Sequence, residues 1–234
     1  MNAPLFLFDL DGTLVNSAPD LALAANLTRQ QEGLDFLPSA QLEAVASQGV
    51  SALIQTAFQI TPEDPAFQMR RIRFLDNYKR IGHRHTRAYP QIEELLHRLR
   101  DNQFRVGIVT NKLEDLARRL VKNVFRDPSF LLIIGSDHKN CMMKPSPTML
   151  WTAMQRASSP PALTLYAGDD PRDVKAAHAA GIRCAACTWG YGPKPYVSWN
   201  ADYIAHRPLQ LLDWALFHQR GQNLELAHLY QNTL

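Results

Sequence analysis

Leu5-Phe6-Leu7-Phe8-Asp9-Leu10-Asp11-Gly12-Thr13 sets four consecutive apolar residues directly before an acidic turn. A run this short and this uniformly apolar reads as a strand buried on both faces, the pattern of a parallel sheet. Asp9 and Gly12 end it. Working outward, residues 105–109, 130–134, 163–167 and 183–186 predict further strands. Residues 90–100, 113–123, 147–157 and 171–180 predict the helices around them. Strands alternating with helices predict parallel βαβ units, hence an α/β, doubly wound, Rossmann-like parallel sheet with helices on both faces.

Between residues 16 and 87 the pattern is helical throughout. Ser17-Ala18-Pro19-Asp20 predicts a helix start, with Ser17 as N-cap, Asp20 as its capping-box partner and Pro19 in the first turn. That helix runs to about Glu32 and stops at Gly33. Ser39 predicts the cap of a short helix and Gly49 an interruption. Residues 50–58 and 62–80 predict two more helices, the second closed by Gly82. The expected organisation is a core domain of residues 1–15 and 88–234, with a helical cap domain, 16–87, inserted after the first strand. Near the C-terminus, Leu224, Ala227, Leu229 and Tyr230 suggest a terminal helix without chemistry, packed on the core or on a partner subunit. Tyr203 and Trp214 read as core residues. Monomer and homodimer both fit.

A hydrophobic fraction of 46% and a charged fraction of 20% are ordinary for a folded protein and argue against disorder. A net charge of +3 gives no footprint for nucleic acid. Arg70, Arg71, Arg73, Lys79, Arg80, Arg84 and Arg87 nevertheless crowd one stretch, with His83 and His85 among them. That run reads either as a solvated helix face or as a positive wall for an anionic substrate. Cys141, Cys184 and Cys187 are too few for a disulfide framework, and the Cys184/Cys187 spacing lacks the second pair of a zinc site. No apolar run is long enough to cross a bilayer, and the N-terminus lacks the basic start of a signal peptide. The expectation is a cytoplasmic protein with no membrane partner.

In open α/β sheets, ligands bind beyond the carboxyl ends of the strands. Those ends carry Asp9, Asp11, Gly12 and Thr13, then Thr110, Asn111 and Lys112, then Gly168, Asp169 and Asp170, with Asp173 one turn into the following helix. Lys144 precedes Pro145 and another helix start. Carboxylates gathered this way repel, two at ~4 Å by about 4 kcal/mol at an effective dielectric near 20. A divalent cation resolves the repulsion, and oxygen donors suit Mg²⁺. Together with Lys144 it would also admit an anionic phosphate beside Asp9. The two-residue spacing of Asp9 and Asp11 allows one carboxylate to attack phosphorus while the other handles a proton. Phosphomonoester hydrolysis is among the slowest uncatalysed reactions, so splitting it through an aspartyl-phosphate is a sensible solution. Thr110 and the N–H groups around Gly12 and Asn111 would hold the phosphoryl oxygens. Singly, each residue has a plainer role: a helix cap, a surface lysine, a turn threonine. Their joint occurrence at strand ends of one sheet carries the reading.

Asp9-Leu10-Asp11-Gly12-Thr13, Thr110-Asn111-Lys112, Lys144-Pro145 and Gly168-Asp169-Asp170-Pro171-Arg172-Asp173 resemble the four motifs of the haloacid dehalogenase-like hydrolase superfamily, over the chain to about Leu212. Thr110-Asn111-Lys112, Lys144-Pro145-Ser146-Pro147 and Trp189-Gly190-Tyr191-Gly192 look most like its phosphoglycolate phosphatase group. The resemblance implies Asp9 as nucleophile and Asp11 as general acid, then base. It implies Thr110 as phosphoryl ligand, with Gly12, Thr13 and Asn111 beside it, and Lys144 orienting Asp9 and the phosphate. Mg²⁺ would be held by Asp9, the backbone carbonyl of Asp11 and Asp169, with Asp173 in support. The helical insert would close over the site, with Gly49 and the basic run, Arg70 and Arg71 included, facing the leaving group. Two features depart from the family: Asp170 stands where Ser or Thr is frequent and reads as a helix cap or, second, as an addition to the metal shell, and residues 136–143 are atypical.

The expected partner is a small phosphorylated metabolite with a second anionic group, such as 2-phosphoglycolate. A nucleotide monophosphatase, a pyrophosphatase and a sugar-phosphate mutase are alternatives on the same fold. A dehalogenase would not need Asp11, and a phosphonate hydrolase would want a reactive cap lysine, for which only Lys79 is present. A non-enzymatic phospho-accepting switch is the remote alternative; such receivers are shorter and lack the insert.

Overall fold

The computed structural model describes residues 3–127 and 129–231, with the backbone course alone for 221–231. Strand β1 (Leu5–Phe8) is buried along its whole length, as its uninterrupted apolar run requires. It lies inside a parallel sheet whose order from one edge is β5 (Leu132–Ile134), β4 (Arg105–Val109), β1, β6 (Thr164–Gly168), β7 (Arg183–Cys187) and β8 (Tyr203–Ala205). Phe8 is level with Ile108 of β4 and with Ala167 of β6. That register brings Asp9, Thr110 and Asp169 together at the carboxyl ends of three neighbouring strands.

Alternation along β1 sends its side chains into two layers. Phe6 and Phe8 face helices α5 (Ile92–Asp101), α6 (Glu114–Val124) and α9 (Gln210–Gln231), through Leu95, Leu99, Leu120, Leu211 and Trp214. Leu5 and Leu7 face α7 (Thr148–Ala157) and α8 (Pro171–Ala179), through Met149, Leu150, Val174 and Ala177. Each such side chain contributes roughly 1.5–3 kcal/mol by leaving water. Cys184 belongs to one layer and Cys187 to the other, and both are free thiols. Tyr203 stacks on Trp214 at 5.7 Å, in the core.

Helices α1 (Ala18–Gln30), α2 (Ser39–Glu43), α3 (Val50–Phe58) and α4 (Phe67–Ile81) pack around an apolar cluster of their own, including Ala22, Ala25, Leu42, Leu53, Ile54 and Phe74. The chain enters and leaves this insert through two short antiparallel strands, β2 (Val15–Asn16) and β3 (Arg87–Ala88). Asp20 fastens the returning segment: its carboxylate accepts from the backbone N–H groups of His85 and Thr86 and from the Thr86 hydroxyl.

Several local features differ from the sequence-based expectation. Ser17 occupies the N-cap position but does not cap, because its hydroxyl donates to Asp11. Asp20 completes no capping box, because three donors from the returning segment hold it. Ser39 starts α2 rather than capping it. The long helix expected from residue 62 begins at Phe67. Pro65 disfavours helical backbone at Asp64, whose carboxylate accepts from the Ala66 N–H. β8 has only three residues, too few to show a periodicity. The backbone of 224–230 is the far part of α9, and the side chains of Leu224, Ala227, Leu229 and Tyr230 lie outside the described residues. Among the described residues, no helix is long and apolar enough to cross a membrane.

Candidate active site

The loop after β1 is built for close approach. Leu10 O accepts from both Leu14 N and Val15 N, and Gly12 N donates to Val15 O. Gly12 sits at φ +90°, and a Cβ there would lie 2.1 Å from Asp169 Oδ2. Only glycine meets both conditions. The Asp169 carboxylate is held from two sides, by the Thr13 hydroxyl at 2.8 Å and the Tyr191 N–H at 2.9 Å. Gly190 lets the 189–191 loop lie against it, since a Cβ there would come within 2.3 Å of Gly12 O.

Lys144 is buried among acceptors. Its ammonium reaches Asp9 Oδ1 at 2.8 Å, Asp173 Oδ1 at 2.5 Å and the Tyr166 hydroxyl at 2.8 Å. Asn111 fixes the lysine's backbone rather than facing a ligand: its amide donates to Lys144 O and accepts from Lys144 N. Asp173 Oδ2 accepts from Asp170 N while Asp170 Oδ1 accepts from Arg172 N, which makes a capping box for α8. The expectation that Asp170 caps the helix matches this geometry.

Asp9, Asp169 and Asp173 each bring one carboxylate oxygen to within 4.8 Å of the others. Burial, opposed by Lys144 and reinforced by Asp173, pushes Asp9 up to about 6. Burial and then the charges of Asp9 and Asp173 hold Asp169 well above the ordinary carboxylate range. Among the described residues Asp169 has no cationic partner, only a hydroxyl and an N–H. A buried, oxygen-only donor set that the chain itself leaves under-neutralised fits a hard dication such as Mg²⁺.

Asp11 turns away from this cluster. Both its oxygens pair with Lys112 Nζ, at 2.9 and 3.0 Å, and Oδ1 also accepts from Ser17 Oγ. Burial alone would lower Lys112, but Asp11 outweighs it and raises the ammonium above its usual range. Sequence reasoning assigns Lys112 no role of its own beyond its place in the motif. Its partner lies 101 positions away, and nothing local points to it.

A cavity of about 320 Å³ lies between insert and core. Asp9, Asp11, Thr110, Lys112, Lys144 and Asp169 line its floor, and Gly49, Leu53, Arg71, Phe74 and Tyr78 line its roof. Asn111 borders it too, although its amide is engaged by Lys144. Thr13 and Gly12 are structural supports of Asp169, not lining residues. The expectation for Arg70 requires correction. Its guanidinium pairs with Glu32 at 2.8 Å and lies over the Phe58 ring at 4.3 Å, outside the cavity. Arg73 joins the same glutamate. The cause is helical period: Arg71, Phe74, Leu75 and Tyr78 share one face of α4 toward the cavity, while Arg70, Arg73 and Asn77 face α1 and the turn that follows it at Glu32. The basic run therefore forms no continuous wall. Arg80 bonds Asn77, and Arg87 bonds the carbonyls of Arg84 and Thr86.

The model for haloacid dehalogenase-like hydrolases matches residues 6–187. An N-acetylmuramic acid 6-phosphate phosphatase from Pseudomonas putida is 34% identical, over 88% of this chain and 92% of its own. A phosphoglycolate phosphatase from Xanthomonas campestris pv. campestris is 35% identical, over 91% and 96%. Among solved structures, a predicted phosphoglycolate phosphatase from Haemophilus somnus superposes with a TM-score of 0.81 at 26% identity, covering 91% of this chain and 98% of that one.

Proposed function

Since the chain belongs to the haloacid dehalogenase-like hydrolases, and its relatives are phosphatases, we propose that it is a cytoplasmic, Mg²⁺-dependent phosphomonoesterase that works through an aspartyl-phosphate on Asp9. Residues 16–87 form its cap domain, and residues 1–15 with 88–234 its catalytic core. The observation that carries this reading is the state of Asp9. It sits on the floor of the cavity with Oδ1 held by Lys144, and its other oxygen takes no bond from the described residues.

Mg²⁺, held by Asp9, the backbone carbonyl of Asp11 and Asp169 with Asp173 in support, would supply the positive charge that admits a phosphate beside Asp9. The remaining work falls to the chain. Asp9 attacks phosphorus, and the bond from phosphorus to the ester oxygen breaks. Asp11 gives its proton to that oxygen, then takes one from the water that attacks the acyl phosphate. Inorganic phosphate leaves and the Asp9 carboxylate is restored. Thr110 borders the cavity with a hydroxyl able to donate to a phosphoryl oxygen, and Lys144 keeps Asp9 oriented.

The substrate is a small phosphomonoester with a second anionic group, such as 2-phosphoglycolate, for which Arg71 is the available cation. A second reading has its own support. A cavity of about 320 Å³ reaches the range that encloses drug-sized ligands, roughly 300 Å³ upward. Leu53, Phe74 and Leu75 give it an apolar side. A bulkier acid such as N-acetylmuramic acid 6-phosphate, the substrate in the name of one relative, uses that space better than a two-carbon acid. A panel of both compounds, nucleotide monophosphates, pyrophosphate and neutral sugar phosphates, assayed for phosphate release with and without Mg²⁺, tests the reading. Preference for neutral sugar phosphates by about tenfold, 1.4 kcal/mol, would overturn the anionic substrate. Undiminished turnover in Asp9→Asn would overturn the mechanism.

A further inference from the structure

We propose that Lys112 is a positioning residue for Asp11, and that Tyr78 of the helical insert seats Lys112 for that task. The inference rests on the reading of Asp11 as the acid–base group.

Three contacts define the arrangement. Lys112 Nζ bonds both oxygens of Asp11, at 2.9 and 3.0 Å. The same ammonium lies 4.8 Å from the centroid of the Tyr78 ring. Tyr78 is itself clamped, with Phe74 stacked on one side at 6.3 Å and the His83 ring edge-on at 5.2 Å. The lysine side chain is 7% exposed and its partner 21%. Such a pair is shielded from the solvent and salt that weaken exposed pairs. An ammonium against a desolvated ring face gains further from the ring quadrupole.

The consequence concerns direction. A general acid must lie within hydrogen-bond reach of the oxygen that receives its proton. Lys112 draws both oxygens of Asp11 to one point, and Ser17 holds Oδ1 from the side. Together the two donors leave the carboxylate one orientation, and without the lysine it hangs on a single hydroxyl. Tyr78 belongs to the insert and Lys112 to the core, so the seating of the insert sets the aim of the acid. A lysine serving only as a phosphate anchor would need neither the bidentate pairing nor the ring.

The test separates leaving groups. An alkyl leaving oxygen requires the proton from Asp11; p-nitrophenolate leaves without it. The quantity is kcat/KM, which covers binding and phosphoryl transfer to Asp9 and excludes later hydrolysis. For Lys112→Met, kcat/KM on the best alkyl phosphate of the panel should fall at least about tenfold further than on p-nitrophenyl phosphate, within the range assigned to acid–base catalysis. Lys112→Arg should recover most of that difference. Tyr78→Leu should show the same preference at about a third of the size, as one cation–π contact allows. Equal losses on both substrates, or no loss on either, overturn the proposal. If Lys112→Met fails to fold, Lys112→Gln and Tyr78→Leu decide it by the same ratio. Asp11→Asn serves as the reference: if that variant shows no leaving-group preference, the assignment of Asp11 fails, whereas a preference in Asp11→Asn without one in Lys112→Met defeats only the role of the lysine.

Discussion

Arg70 and Arg71 adjoin in sequence and diverge in use. One hundred degrees of helical turn send the first to Glu32 and Phe58 and the second to the cavity, where among the described residues it meets no carboxylate. Arg71→Ala should therefore raise KM for acids such as 2-phosphoglycolate about tenfold or more, since a hydrogen bond to a charged group contributes about 1.5–3 kcal/mol. Its effect on p-nitrophenyl phosphate, which lacks the second anion, should be small. Arg70→Ala should leave both KM values in place. It should cost about 1 kcal/mol of stability in urea, the size expected for a half-shielded ion pair with a cation–π contact. A reversed pattern, with Arg70 governing KM, would refute the face assignment. Asp9, Asp169 and Lys144 are legible in the sequence because each stands directly beyond a strand or before a helix, where the fold dictates the neighbourhood. The individual roles of Lys112 and Arg71 are not: they depend on how the insert sits on the core, and no short stretch of sequence encodes that. The hydroxyl of Ser17 departs from its expected capping role for a related reason, since a carboxylate six positions earlier outcompetes the helix end for it.

At the scale of elements, buried parallel strands announce themselves as uninterrupted apolar runs, and so the central strands and their order of appearance can be read directly. Short edge pieces such as β8 and the Pro65 turn before α4 carry too little local pattern for that. Helix α8 shows how an element end serves the site. Its capping box uses Asp170 and Asp173, and the same Asp173 holds Lys144. Asp170 also pairs with Arg172 at 2.7 Å, and Arg172 donates on to Ser47 O at the roof of the cavity. Although burial works against it, the Arg172 contacts keep the Asp170 carboxyl below its usual range. Asp170→Ala removes the cap and the pair together and should destabilise the protein by about 1–2 kcal/mol, the cost of losing an N-cap. Asp170→Ser, the residue type frequent at this place in the family, keeps a cap and should lose less than about 1 kcal/mol. Chemical denaturation orders the two variants; equal losses would show that the ion pair, not the cap, is what α8 requires.

For the whole molecule, the dominant tension is a cluster of buried acids at the carboxyl ends of the central strands, beneath the helical insert. Asp9 titrates at about 6 in the folded chain against an ordinary 3.8, because burial outweighs the attraction of Lys144. A carboxyl whose folded value lies above its unfolded one binds its proton more tightly when folded. It therefore favours the fold at acid pH, and that support is lost as the pH rises from about 4 through about 6. Asp169 shifts in the same direction for the same leading cause. His83, which burial lowers from 6.5, acts oppositely below that value, so the wild-type melting curve alone mixes the two. Comparison with Asp9→Asn, which keeps His83 and fixes position 9 in an uncharged form, isolates the acid. Without metal, the variant should melt above the wild type at pH 7.5, by several degrees for each couple of kcal/mol, and the gap should shrink to about half at pH 5, closing only below about pH 4. Mg²⁺ should raise the wild-type melting temperature more at pH 7.5 than at pH 5, because it binds the ionised carboxylates. It should do far less for the variant. Calorimetry at the two pH values, with Mg²⁺ and with chelator, reads all of these differences. A metal-free wild type that out-melts Asp9→Asn at pH 7.5, or a Mg²⁺ response as large at pH 5 as at pH 7.5, would mean that the acidic cluster is already neutralised within the chain and that no dication is needed to hold it together.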